Sequence, residues 1–171
     1  MAILNLAGEI KNSNANGPGM RYVIFTQGCS HERKCEGCHN PHTWDANRTD
    51  NQITVDEMAL CIIQEMPIIT GVTFSGGEPF DQAKPLFELA VKLRAAGLSV
   101  MCYTGYTYEE LQQLFLLRSI ESMNMYHLLC NIDILVDGKF DITKTDRAGI
   151  YRGSSNQRML YLDKGKITKI E

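Results

Sequence analysis

No run of eighteen or more apolar residues occurs in this chain, so no bilayer-spanning helix and no membrane partner are expected. The N-terminus, Met1-Ala-Ile-Leu-Asn-Leu-Ala-Gly-Glu-Ile, lacks a basic start and meets Glu9 before any long apolar stretch, which is not the pattern of a secretory leader. The expected compartment is the cytoplasm. A cationic excess is missing too. The formal net charge is −3, whereas a nucleic-acid partner would require a clustered cationic face. Only the stretch from Gly138 onward is locally basic, with eight Lys or Arg against four Asp or Glu; this is a solvated face or a docking surface for an acidic partner. There is no internal repeat, no Gly-Lys-Ser/Thr phosphate loop, and no Ser-His-Asp or Cys-His constellation for nucleophilic catalysis.

What is present fits one globular domain over residues 1–171, with 44% hydrophobic and 22% charged residues. Strands are expected at Met20–Thr26, Val72–Phe74, Leu98–Tyr103 and Asp133–Val136. Capping-box patterns at Thr54–Glu57 and Thr107–Glu110 open helices. The first helix places Val55, Met58, Ala59, Ile62, Ile63 and Met66 on one face and stops at Pro67; the second of these helices runs to about Leu117. Between them, Ala83, Leu86, Phe87, Ala90 and Val91 form a further helical stripe closed by Gly97. Arg158–Ile170 reads as a terminal hairpin around Asp163-Lys-Gly165. The alternation predicts an α/β fold of parallel strands with helical crossovers. Since a complete eight-unit barrel needs about 200 residues, a partial, open (β/α) barrel with a short C-terminal β segment is expected.

The chemistry-bearing residues follow the ends of successive strands, which open on one face in such architectures. First come Cys29, Cys35 and Cys38, three soft thiolates on a polar loop that suit zinc or an iron–sulfur cluster. Zinc would recruit His31, His39 or His42 as a fourth ligand; a four-iron cluster would keep one iron without a protein thiolate. Spacing alone leaves both open. Next is Ser75-Gly76-Gly77-Glu78-Pro79, where two residues without Cβ let a ligand approach the main chain and Glu78 offers a carboxylate. Thr104 and Asp137 follow the later strands. The other cysteines, Cys61, Cys102 and Cys130, lie in apolar runs and read as small core residues.

The sequence resembles radical S-adenosylmethionine enzymes, and most closely the activating proteins of anaerobic (class III) ribonucleotide reductase. The resemblance is carried by Gly17-Pro-Gly-Met-Arg21, Gly28-Cys-Ser-His31, Cys35-Glu-Gly-Cys-His-Asn40, Thr43-Trp44, Ser75-Gly-Gly-Glu78, Tyr103-Thr-Gly-Tyr106, Leu135-Val-Asp-Gly-Lys139 and Arg152-Gly-Ser-Ser-Asn-Gln157. One departure stands out: five residues separate Cys29 from Cys35, where the family pattern has three. The longer loop costs only roughly 0.3 kcal/mol of closure entropy, and Arg33 and Lys34 are expected to bulge outward, toward the partner or acting on the cluster potential.

The resemblance implies a [4Fe–4S] cluster on Cys29, Cys35 and Cys38 whose fourth iron chelates S-adenosylmethionine. It further implies that Ser75, Gly76, Gly77 and Glu78 hold the methionyl amine and that Gly37, Cys38 and His39 line the other side, with His39 near the adenine. Thr104 and Asp137 are second-rank cofactor contacts; Asn40 and Trp44 shape the loop. Reductive cleavage would give a 5′-deoxyadenosyl radical that takes hydrogen from a glycine of the reductase large subunit, a glycyl radical protein, with a low-potential donor such as flavodoxin. Activation of another glycyl radical enzyme, or a non-catalytic zinc module, is the alternative.

Overall fold

The structure, a computed structural model, describes residues 2–171. Along the chain come β1 (Ile3–Ser13), β2 (Arg21–Thr26), β3 (Gln52–Thr54), α1 (Val55–Ile63), β4 (Gly71–Gly76), α2 (Ala83–Ala95), β5 (Ser99–Tyr103), α3 (Tyr108–Phe115), α4 (Ile120–Cys130), β6 (Ile134–Asp137), β7 (Arg158–Asp163) and β8 (Lys166–Ile170). All the strands join one sheet in the order β3-β1-β2-β4-β5-β6-β7-β8. β2, β4, β5 and β6 are parallel neighbours, linked by helical crossovers. Antiparallel β1 and β3 extend one side, and β7 and β8 the other. This open sheet with a parallel centre is the partial (β/α) barrel that the sequence implies.

Both expected capping boxes form. Thr54 accepts from Glu57 N–H while Glu57 returns to Thr54 N–H, and Thr107 and Glu110 do the same. Several bounds differ from the sequence reading. The first helix ends at Ile63, leaving Met66 exposed. On α2 the buried stripe is Ala83, Leu86, Leu89, Ala90 and Leu93, whereas Val91 faces out. The third crossover holds two helices: α3 stops at Phe115, Arg118 turns with φ 50°, and Ser119 caps α4 by accepting from Ser122 N–H. β1 was also not foreseen. Only Leu4 and Leu6 are buried along its eleven residues, too short an alternation to stand out in the sequence. Cys102 is buried as expected, but Cys61 is exposed and Cys130 half-buried, because each sits off the inward face of its helix.

Alternation along the parallel strands builds two different faces. Tyr22, Ile24, Val72, Phe74, Val100, Cys102 and Leu135 pack with α1, α2 and α4 in the main core. The concave face carries Met101, Ile134, Val136 and Met159, flanked by Tyr103, Tyr151 and Tyr161. Covering both faces explains the near-continuous apolar runs in these strands.

The β1–β2 connection closes the bottom of the concave side. Asn16 C=O accepts from the Thr73 hydroxyl at 2.7 Å. Gly17 (φ +135°) lies so close to Arg21 and Met101 that a Cβ there would sit 2.5 Å from Arg21 Cδ. Arg21 itself is 1% exposed. Its guanidinium donates to Thr73 Oγ1 (2.7 Å), Pro18 C=O (3.1 Å), Ser99 Oγ (3.0 Å), Ser99 C=O (3.1 Å) and Val72 C=O. Burial lowers its pKa to about 10, so it stays charged at neutral pH and is held by acceptors from β4, β5 and the β1–β2 connection. Replacing it leaves those acceptors unpaired in the interior. Arg21→Met is expected to cost about 3 kcal/mol, read as a lower midpoint in urea unfolding.

Candidate metal centre

The cysteine loop is tied down at its root before it reaches its first ligand. β2 ends at Thr26, and Gly28 (φ +101°) turns the chain out of the strand. Gly28 N–H donates to Thr43 C=O at 2.7 Å and Cys29 N–H to Trp44 C=O at 3.3 Å, so residues 28–44 form a loop with paired ends. The neighbouring β4 loop docks against the same root: Gly77 N–H bonds Thr26 C=O (2.9 Å) and Glu78 N–H bonds Gly28 C=O (2.8 Å). Gly77 is required here by space. A Cβ on it would lie 1.9 Å from Gly28 O.

Glu78 is the hub of these contacts, at 1% exposure. Its Oε1 accepts from Phe80 N–H (3.0 Å) and the Thr104 hydroxyl (2.8 Å). Its Oε2 accepts from Gly105 N–H (2.8 Å) and faces His31 Nε2 at 2.7 Å. Against an acceptor-only carboxylate, that histidine nitrogen carries the hydrogen. The His31 ring also packs on Tyr106 with centroids 4.5 Å apart. A carboxylate offers about four acceptor positions, and all are engaged. Glu78 therefore joins the cysteine, β4 and β5 loops, and it also lines the cavity where a ligand amine is expected. Asp81 repeats the device, accepting from Ser30 N–H and Ser30 Oγ at 2.6 Å each. Burial raises the Asp81 pKa and the Ser30 bonds oppose it. Neither His31 nor Asp81 stood out in the sequence for this purpose; a carboxylate three residues past Glu78, in a turn opened by Pro79, was the only sign.

The three cysteines line one cavity of about 540 Å³ together with His39, Ser75, Gly76, Gly77, Glu78 and Thr104. Tyr103, Tyr151 and Phe25 supply apolar wall, with Asn16 below. Two expected contacts fall elsewhere. Gly37 (φ +70°) is tucked against Ile142, 2.5 Å from where its Cβ would be. Asp137 is buried and does not face the cavity, because its carboxylate accepts from Tyr108 N–H (2.8 Å) and pairs with Arg158. Of the two cations expected to bulge outward, Arg33 does; Lys34 folds back inward, its Nζ donating to Cys29 C=O and, at 2.8 Å, to His31 C=O. The segment after β6 covers the loop from outside: Phe140 packs on His39 with centroids 4.7 Å apart, and Lys139 Nζ bonds Arg33 C=O at 3.2 Å. The Arg152–Gln157 motif stitches that segment together, Gln157 accepting from Gly153 N–H (2.8 Å) and donating to Gly138 C=O (2.9 Å).

Over residues 15–160 the chain matches the family described as a 4Fe-4S single cluster domain. It is 33% identical over 150 residues to the anaerobic ribonucleoside-triphosphate reductase-activating protein of Enterobacteria phage T4, covering 84% of this chain and 85% of that one. The chain belongs to the radical S-adenosylmethionine activases. The Escherichia coli K12 protein named like the phage one is 34% identical over 155 residues, covering 86% and 92% of the two chains. The pyruvate formate-lyase-activating enzyme of Staphylococcus epidermidis is 45% identical over 87 residues, which is 48% of this chain and 34% of that one.

The cofactors of this activase are a [4Fe–4S] cluster and S-adenosylmethionine, which decides between the iron–sulfur and zinc readings that spacing left open. The donor set fits them. All three thiols are free and half-buried on one cavity wall. Among the described residues no three His, Cys, Asp or Glu side chains converge as ligands of a single ion; cluster cysteines sit farther apart, each on its own iron. Burial pushes the Cys29 and Cys35 thiols above the ordinary range. For Cys29 the His31 main chain and the Lys34 charge oppose this, and for Cys35 the Phe140 main chain and Lys139 do. Iron bound at these sulfurs would supply the drive for deprotonation. Asn40 N–H donates to Cys38 Sγ at 3.4 Å, a contact of the kind that tunes cluster potential.

Gly77→Ala forces apart two loops whose main chains touch. It is expected to lose roughly 2–3 kcal/mol and most of the iron bound on anaerobic reconstitution. Gly8→Ala, where a Cβ meets nothing within 4 Å, should stay within about 0.5 kcal/mol and load iron normally.

Proposed function

We propose that this activase installs a glycyl radical on an anaerobic ribonucleotide reductase, working in the cytoplasm as a single domain over residues 1–171 with a low-potential donor such as flavodoxin. Two relatives that align over more than four-fifths of the chain carry the reductase-activating name. The observation that carries the chemistry is the meeting of three free thiols and the Gly76–Gly77 main chain on one cavity.

In this reading Cys29, Cys35 and Cys38 each hold one iron. Bound together, the cluster and S-adenosylmethionine supply one-electron cleavage to methionine and a 5′-deoxyadenosyl radical, which takes a hydrogen atom from a glycine Cα of the partner. The Ser75-Gly76-Gly77 main chain faces the methionyl amine, since close approach there needs residues without Cβ. Glu78 holds the loops in register from the same cavity wall, where its carboxylate also borders the amine, and Thr104 is held by Glu78 beside it. His39, packed on Phe140, flanks the adenine. Phe25, Tyr103 and Tyr151 keep water from the reacting atoms. Asp137 and Gly37 serve the fold and not the cofactor.

The stretch 45% identical to a pyruvate formate-lyase-activating enzyme favours a second reading, with a different glycyl radical partner. Mixing separates them. The anaerobically reconstituted, reduced activase with S-adenosylmethionine should form 5′-deoxyadenosine, and a glycyl radical signal should appear on an anaerobic ribonucleotide reductase and not on a pyruvate formate-lyase. The reverse pattern would assign the other partner. Cys35→Ala should abolish both cluster and 5′-deoxyadenosine; product formation by that variant would overturn the ligand set.

A further inference from the structure

Between Cys29 and Cys35 the chain carries five residues, and the last of them turns back on its own loop. Lysine ammonium groups ordinarily extend to water. Lys34 is instead half-buried, and its Nζ donates to two main-chain carbonyls, Cys29 C=O and His31 C=O. No carboxylate lies within ion-pairing distance of it among the described residues. The carboxylates that face the same loop, buried Glu78 and exposed Asp81, are occupied otherwise, Glu78 with His31 and Asp81 with Ser30. A whole positive charge is thus fixed next to the first cysteine, unneutralised by any partner.

We propose that the Lys34 ammonium is a built-in cation of the cluster site, which raises the reduction potential of the bound cluster as it ties the loop between the first two cysteines. Reduction adds an electron to a group already bearing three thiolates. In a half-buried site, where water screens only part of the field, a nearby fixed cation stabilises the reduced form more than the oxidised one. Glu78 and Asp81 act in the opposite sense on the same loop, and Lys34 offsets them. Lys34 is a positioning residue: it touches the loop main chain and acts on the cluster through charge. Its role rests on the three-thiolate cluster proposed above.

An EPR-monitored redox titration of the reconstituted full chain tests this, with iron counted for each protein. If the unaltered chain fails to take up four irons, the cluster assignment itself fails, which is a separate result. Lys34→Met removes the charge; Lys34→Gln removes the charge but keeps a donor for the carbonyls. Both are expected to shift the midpoint to more negative potential, lowering the ratio of reduced to oxidised cluster at a fixed potential about tenfold, or ~59 mV. Lys34→Arg should restore the original value. An unchanged midpoint in the neutral variants overturns the proposal. So does a rise, since water entering a loosened loop would also stabilise the reduced form. Iron binding lost in both neutral variants yet kept in Lys34→Arg would reduce Lys34 to a structural tie and overturn the claim on potential.

Discussion

One buried carboxylate holds the site together. Glu78 collects hydrogen bonds from the cysteine loop through His31, from its own turn through Phe80, and from the β5 loop through Thr104 and Gly105. A carboxyl group so far from water is tolerable only when fully paired. The pairing runs both ways: each loop satisfies the charge, and the charge fixes each loop. Three connections that leave separate parallel strands therefore arrive in register before any cofactor is bound.

The sheet divides its labour by face. Side chains pointing to the helices make the large apolar core, while those pointing inward end at the cavity. Arg21 occupies the floor of that concave side and the cysteine loop its rim. The antiparallel flanks β1–β3 and β7–β8 widen the sheet without closing it. The polar Arg152–Gln157 stretch and the covering segment from Lys139 to Lys144 border the opening. A glycine borne on a protein partner requires an opening of this kind.

Much of this was legible in the sequence, for stated physical reasons. Thr54–Glu57 and Thr107–Glu110 are local motifs, and local geometry decides them. The parallel strands show as apolar runs since both their faces are covered. The cysteine cluster and the Gly-Gly turn are rare chemistry at strand ends, and they do line one cavity. What stayed hidden depends on pairing between distant residues. Glu78 reads as a ligand for an amine, but nothing in the sequence shows that His31, forty-seven positions earlier, also meets it. Asp137 looks like a cofactor contact at a strand end, but Arg158 and Tyr108 N–H claim it. Lys34 looks like a solvated cation, yet loop carbonyls turn it inward. β1, with two inward apolar residues, owes its existence to pairing with β2 and β3.

The proposed chemistry requires three sulfurs serving three irons and leaving the fourth to S-adenosylmethionine. Mössbauer spectroscopy of the protein reconstituted with iron-57 reads this directly, before and after that cofactor is added. One iron of the four should change its spectrum on addition while the other three keep theirs. Four irons unaffected by S-adenosylmethionine, or a site filled by a single metal ion, would contradict it.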